Sequence, residues 1–449
     1  MLSGIVGVYS KDNHNVSQTI YYGLYALQHR GQISSGIAVN HNGFVDYHKD
    51  LGLVNEGFNK EIIDGLVGNI GIGHVRYAQQ SEGKNTNNAQ PLVAGYKMGP
   101  LGLSNDGSLV NVNKLKDKLI YSIFQTDLDG EVVANLIAYY HEDNIESAIV
   151  KAIADLDGSY SMVLMTWDKL IGARDPHGLK PLSIGKYGED YILASETCAF
   201  DTIGAKYIRD VEPGEVVRID ENGITTLRHE PKEIRKCLFE FIYFARPDSG
   251  MNNRSLYSIR RAAGRKLFKE FETEGDVVIG APDSGTVAAM GYAAESGIPY
   301  KEGIIKNRYV GRTFIEPSQE LREQGVMIKL NALRENVEGK RIVLVDDSIV
   351  RGTTIKRTVS MLKNAGAKEI HVRISCPPVT RTCYLGMDTP SEESLIGANM
   401  TVEEIREEIG ADSLYYLSLD GLIEATGGDK GYCTGCFDGN YAVEKEIGE

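Results

Sequence analysis

Positive charge is what this 449-residue chain most lacks: 48 lysines and arginines face 62 acids, for a formal net charge of -14. General affinity for nucleic acid or an anionic membrane needs clustered positive charge, so both are excluded as main partners, while small basic pockets for phosphate are not. Long apolar runs are missing too. None approaches the roughly 18 to 20 residues of a membrane span, and Met1 to Tyr9 is too short and uncharged for a secretory signal. The expected location is the cytoplasm. Cysteine is scarce, with only Cys198, Cys237, Cys376, Cys383, Cys433 and Cys436. In a reducing compartment such a set suggests buried thiols or metal ligands before disulfides. No internal repeat occurs, and only the charged tail after Tyr441 is low in information.

The length asks for two domains of about 200 residues each. GIVGVYS from Gly4 reads as a strand, and a helix follows near Ser17, with Ile20, Leu24 and Leu27 on one face. Short strand-like runs then recur, among them GNIGIGHVRYA, GPLGLSNDGSLV, GSYSMVLMTW, YILASE and GEVVRID, as in a layered α+β domain. The polar, basic stretch RHEPKEIRK at 228–236 suggests a boundary, placed between residues 232 and 233. Beyond it DVVIGAP, RIVLVDD and EIHVRISCPP alternate with helical TVAAMGYAAESG and TIKRTVSMLKNAGA, the rhythm of parallel βαβ units.

The sharpest motif is VLVDDSIVRGTT, from Val343 to Thr354. A buried strand ends in two acids and runs into a loop that opens a helix. Backbone N–H groups, the hydroxyls of Ser348, Thr353 and Thr354, Arg351, Gly352 and the helix N-terminus together suit one phosphate. Asp346 and Asp347 fall at the carboxyl end of the strand, where open α/β sheets bind ligands, and suit sugar hydroxyls and a magnesium ion. The plainer alternative is an acid pair capping a strand before a glycine turn.

This motif resembles the phosphoribosylpyrophosphate (PRPP) fingerprint of type I phosphoribosyltransferases. APDSGT, with Asp283, Ser284, Gly285 and Thr286, looks like that family's pyrophosphate loop. KNRYVGRTFIEPSQELREQGV from Lys306, FARPDS from Phe244 and RDPHGLKPL from Arg174 are similar to one branch, the glutamine PRPP amidotransferases, over nearly the whole chain. The resemblance implies an α+β sandwich of the N-terminal-nucleophile hydrolase type (αββα, residues 1–232) followed by an α/β type I phosphoribosyltransferase domain (233–449). It implies displacement of pyrophosphate by ammonia in purine biosynthesis. Lys306, Arg308 and Arg312 would neutralise the leaving group, and Ser284, Asp346 and Asp347 would hold Mg²⁺. Purine nucleotide inhibitors and a homotetramer are further family expectations.

The first half matches less well. The family's nucleophile is a first-residue cysteine in CGIVG, and here the motif reads Ser3-Gly4-Ile5-Val6-Gly7. A serine is the weaker nucleophile, and its base, a free amine on Ser3, requires loss of Met1 and Leu2. The oxyanion segment HNGNLVN becomes Asn105-Asp106-Gly107-Ser108-Leu109-Val110-Asn111, which sets a carboxylate at Asp106 where the family uses an amide. Arg76 and Asp129 match the groups that hold the glutamine carboxylate and amine, and Glu131 also survives. Their neighbours are changed: Ala78, Gln79, Leu128 and Gly130 stand where hydroxyl residues are usual. The expectation is impaired glutamine hydrolysis, with Arg76 and Asp129 either structural ions or residual ligands.

Cys433-x-x-Cys436 lies in a glycine-rich stretch that composition reads as exposed and that alone is weak evidence for metal. By resemblance, Cys237, Cys383, Cys433 and Cys436 match the ligands of a structural [4Fe–4S] cluster. Cys198 and Cys376 read as buried side chains. Two rival functions stay open: a transferase using another amine nucleophile, and a non-catalytic PRPP or nucleotide sensor.

Overall fold

The computed structural model describes residues 2–77, 86–251, 253–307, 330–428 and 430–445. Two antiparallel sheets make up the first half. The outer strands of the seven-stranded sheet are Lys206–Asp210 and Phe44–Leu51, and Ser3–Tyr9 runs near its middle between Asp190–Ala194 and Ile70–Arg76. In the six-stranded sheet, Gly99–Leu109 pairs with Gly158–Met165, in a register that sets Asp106 opposite Ser161. Strands buried on both faces need apolar residues at consecutive positions, and GIVGV and MVLM supply them. Ile5, Ile72, Val163, Leu170, Leu193 and Val217 fill the space between the sheets.

Helices close both outer faces. Ser17–Ala26, Lys60–Gly65 and Cys198–Ile203 cover the first sheet, with Ile20 and Leu24 pointing inward. Asp129–Tyr140 and Ile145–Ala154 cover the second through Val133, Leu136, Ile149 and Ile153. The αββα sandwich expected from the sequence is therefore present.

The second half is a four-stranded parallel sheet with Val277–Gly280, Arg341–Asp346, Glu369–Ile374 and Ser413–Tyr416 in that order. Helices Leu256–Glu270, Thr286–Ser296 and Thr353–Asn364 share one apolar core with it. Every strand runs the same way, so all carboxyl ends gather on one edge, and the phosphate motifs lie there. A short parallel bridge joins Lys236–Cys237 to Tyr432–Cys433. No described helix is long and apolar enough to cross a membrane.

Candidate active sites at the strand ends and the domain seam

Strand Arg341–Asp346 delivers its two acids where the chain turns toward helix Thr353–Asn364. Gly352 caps that helix at φ +77°, which side chains with a Cβ resist. Asp347 is buried, and its N–H donates to Asp346 Oδ1 at 2.9 Å. The Ser348 hydroxyl donates to Asp347 Oδ2. Burial, and then the charge of Asp347, push the Asp346 carboxyl well above the ordinary carboxylate range. No cation of the described residues makes an ion pair with either acid; the buried Arg260 guanidinium feels the charge of Asp347 but donates to the Phe241 and Ala245 carbonyls. Ser348 and Thr353 stand near them on the loop, and Arg351, Thr353 and Thr354 are exposed.

The loop Ala281–Thr286 packs directly on this acid pair. Ala281 N–H donates to Val345 O at 2.8 Å, and a Cβ on Gly285 would stand 2.4 Å from Val345 O and 2.8 Å from Asp346 Cα. Only glycine fits there. Ser284 and Thr286 are half-buried beside it, and exposed Asp283 is ion-paired to Lys306. The structure thus brings Asp283, Ser284, Gly285, Thr286, Lys306, Asp346 and Asp347 to one edge. Arg308 and Arg312 lie outside the described residues. A cavity of ≈ 250 Å³ opens alongside, lined by Arg351, Gly352, Thr353 and Lys356 on one side and Asn399 and Met400 on the other.

The second constellation sits where the two halves meet. Ser3 N–H donates to Asp106 Oδ1 at 2.9 Å, and Ser3 O accepts from Arg30 Nε at 2.9 Å. Leu2 continues the strand, its carbonyl accepting from Tyr77 N–H at 3.1 Å, and is buried. The Arg30 guanidinium is fully buried. It reaches Asp106 at 3.3 Å, Glu196 at 2.7 Å and both oxygens of Glu240 at 2.7 and 3.0 Å. Lys180, also buried, lies 3.6 Å from Asp106 and donates to Gly386 O at 3.2 Å. Burial alone would lower the Arg30 and Lys180 pKa values; the surrounding carboxylates outweigh it and raise both. Burial alone would raise Glu196, but His29 and Arg30 hold it below the carboxylate range. His29 Nε2 is 2.7 Å from Glu196, which also accepts from Ser249 Oγ at 2.8 Å and Arg246 N–H at 2.9 Å.

Arg76 pairs by backbone with Ser3, and Gly107 packs against Gly386, whose Cβ would come 3.1 Å from Gly107 Cα. Asp129 opens its helix and accepts from Leu109 N–H at 2.9 Å, while Glu131 holds the N–H groups of Gln125 and Thr126. Nearby His74 is buried, its Nε2–H donating to Asn105 O at 3.1 Å, and burial lowers its pKa to about 3. Ala78 and Gln79 lie outside the described residues.

Sequence reasoning overlooked Arg30, Glu196 and Glu240 and gave Lys180 no role, although Lys180 and Glu196 stand inside the quoted stretches RDPHGLKPL and YILASE. No local pattern marks a charged side chain as buried when its partners are more than 70 residues away.

The cysteines need one correction. Cys436 is buried and Cys433 half-buried, because helix Gly435–Asp438 packs Phe437 against Phe239 and brings this glycine-rich stretch into the core. Cys237 and Cys433 are direct register partners, and Leu385 N–H donates to Cys383 Sγ at 3.3 Å. Burial and then neighbouring charges, the other thiols among them, raise the pKa of Cys237, Cys433 and Cys436. Among the described residues no group of three or more ligating side chains is close enough to hold a single metal ion. Cys198 and Cys376 are buried, as expected, with Cys198 pushed up to about 12 by burial.

An αββα sandwich followed by a parallel sheet with an acid pair at its strand ends is the arrangement of a two-domain transferase. A glutamine amidotransferase domain model matches residues 74–202, and a phosphoribosyl transferase domain model matches 251–389. The chain is 48% identical to the amidophosphoribosyltransferase of Synechocystis sp., over 98% of this chain and 90% of that protein. It is 47% identical to that of Bacillus subtilis, over 98% and 94%. A solved structure of the Bacillus subtilis glutamine PRPP amidotransferase complexed with ADP and GMP superposes with a TM-score of 0.93, at 46% identity, over 99% of this chain and 98% of that one. The chain belongs to the amidophosphoribosyltransferases, pentosyltransferases of purine biosynthesis.

Proposed function

We propose that this protein makes 5-phosphoribosylamine from PRPP and free ammonia, with glutamine hydrolysis impaired. The observation that carries the transferase half is the under-compensated acid pair Asp346 and Asp347, packed under the Gly285 loop. Asp346 and Asp347 would hold the ribose hydroxyls and, with Ser284, a Mg²⁺ that neutralises pyrophosphate as it leaves. Ser348, Arg351, Gly352, Thr353 and Thr354 would take the 5′-phosphate. Asp283, Ser284, Gly285 and Thr286 would line the pyrophosphate, and Lys306, Arg308 and Arg312 would supply positive charge over it. The ammonia lone pair forms the new C1–N bond as the C1–O bond to pyrophosphate breaks, and the amine sheds one proton to water. The altered first site favours ammonia supplied from outside the chain; another amine nucleophile is the rival reading. A PRPP or nucleotide sensor would have no need for the full acid and loop set.

Cys237, Cys383, Cys433 and Cys436 suit a [4Fe–4S] cluster. Such a cube is larger than a single ion, so its four thiolates would not converge on one point. It would tie the C-terminal segment to the start of the transferase domain. The domain boundary at 232/233, a homotetramer, feedback by purine nucleotides and a cytoplasmic location complete the reading.

The test is pyrophosphate release from PRPP by anaerobically purified protein, with glutamine or ammonium chloride, alongside the intact mass of the N-terminus. Turnover with ammonium and none with glutamine is expected. Equal turnover with glutamine on a chain beginning at Ser3 overturns the impaired-glutaminase reading, and turnover with neither overturns the amidotransferase reading.

A further inference from the structure

The buried seam around Ser3 ties Arg30 and Lys180 to three carboxylates, Asp106, Glu196 and Glu240. Asp106 is fully buried, and its Oδ1 accepts from the Ser3 N–H at 2.9 Å. His29 faces Glu196, and His74 and Arg76 lie near Asp106.

In the N-terminal-nucleophile scheme, the hydroxyl of residue 3 attacks the glutamine amide carbon. Its proton passes to the α-amine and from there to the departing ammonia, and water then releases glutamate from the ester. The amine must be neutral to begin. An α-amine freed at Ser3 would lie against the buried Asp106 carboxylate, and an opposite charge at that range favours the ammonium form. By the resemblance of Asn105–Asn111 to the family's oxyanion segment, the same carboxylate would also face the oxyanion formed on the substrate, and like charge there raises the barrier. On a chain beginning at Ser3, one side chain thus works against both the base and the oxyanion site.

Resting on the reading above that glutamine hydrolysis is impaired, we propose that Asp106 is the residue that decides the nitrogen donor, committing the chain to free ammonia more firmly than Ser3 does. On this proposal, restoring a cysteine at position 3 restores nothing while Asp106 remains.

The experiment uses the whole chain with residue 3 exposed by cleavage of a fused leader, verified by intact mass. Native protein, S3C, D106N and S3C/D106N are compared for glutamate release and for acylation of the α-amine at neutral pH. A cooperative thermal transition is the folding control, and D106S replaces D106N if the latter does not fold. S3C should stay at background. The double variant should exceed S3C by about 100-fold or more, the scale of one oxyanion-hole donor, and D106N should speed acylation by about tenfold. Equal hydrolysis by S3C and the double variant overturns the proposal. So does a folded double variant that releases no glutamate, or acylation unchanged by D106N. Native protein that hydrolyses glutamine as fast as it consumes ammonium sinks the parent reading instead, before any variant is made.

Discussion

Two groups of buried acids, one at the transferase edge and one at the domain seam, are built on opposite plans. Asp346 and Asp347 sit side by side with no cation of the described residues paired to them, so Asp346 is driven toward its protonated form. Asp106, Glu196 and Glu240 are gripped by Arg30 and Lys180. Carboxylates without an ion-pair partner suit a cation from outside, whereas paired ones hold the protein together. On the proposed reading the difference separates a binding site from a structural joint, although both are acidic and close to glycine loops.

The largest expected effect tests the joint. Arg30→Met removes the partner of three carboxylates, and breaking buried pairs in this way costs about 3 to 5 kcal/mol; urea unfolding should show that loss, and an unchanged midpoint would dissolve the contrast. Next comes the binding site. Asp347→Asn should lower pyrophosphate release by about 100- to 1,000-fold with a smaller loss of urea stability than Arg30→Met, since Asp347 holds the Ser348 hydroxyl but makes no ion pair. A stability loss matching that of Arg30→Met would mean that the two acid groups do not differ in kind. Smaller still is Gly285→Ala, whose methyl meets the Val345 carbonyl and should cost about 1 to 3 kcal/mol, together with a raised KM for PRPP. A KM equal to that of native protein would show that the loop does not touch substrate.

Acidification gives the smallest effect. Glu196 is held below its ordinary value of 4.5, so the folded state binds its proton more weakly than the unfolded state does. Its contribution is complete above that unfolded value and drains away as pH falls below it, by on the order of 1 kcal/mol per pH unit. Urea midpoints from pH 6 down to 3.5 should fall on that side only, and Glu196→Gln should flatten the slope.

The transferase edge was legible in the sequence because its chemistry is local. A strand, two acids, a hydroxyl loop and a helix start follow one another from Val343 to Thr354, and the structure keeps them together. The sandwich was legible for a similar reason, since strands such as Gly158–Met165 announce themselves by apolar runs. The joint was not legible. Arg30, Asp106, Glu196 and Glu240 are far apart in the chain, and nothing in QHRGQ says that its arginine has no access to water. Cys436 failed the composition test for the same reason: glycine-rich neighbours suggested exposure, yet Phe437 anchors the segment in the core.

The stitches between the halves also bear on inheritance. Lys180 on Gly386 O, Ser159 on Leu385 O and Arg30 on Glu240 all run from the first half to the second. Deleting the first two hundred residues would strand a buried glutamate and strip the Cys383 loop of its support. A lineage could forgo the chemistry of that region and still be unable to shed it, so the cost of carrying it is set by architecture and not by use.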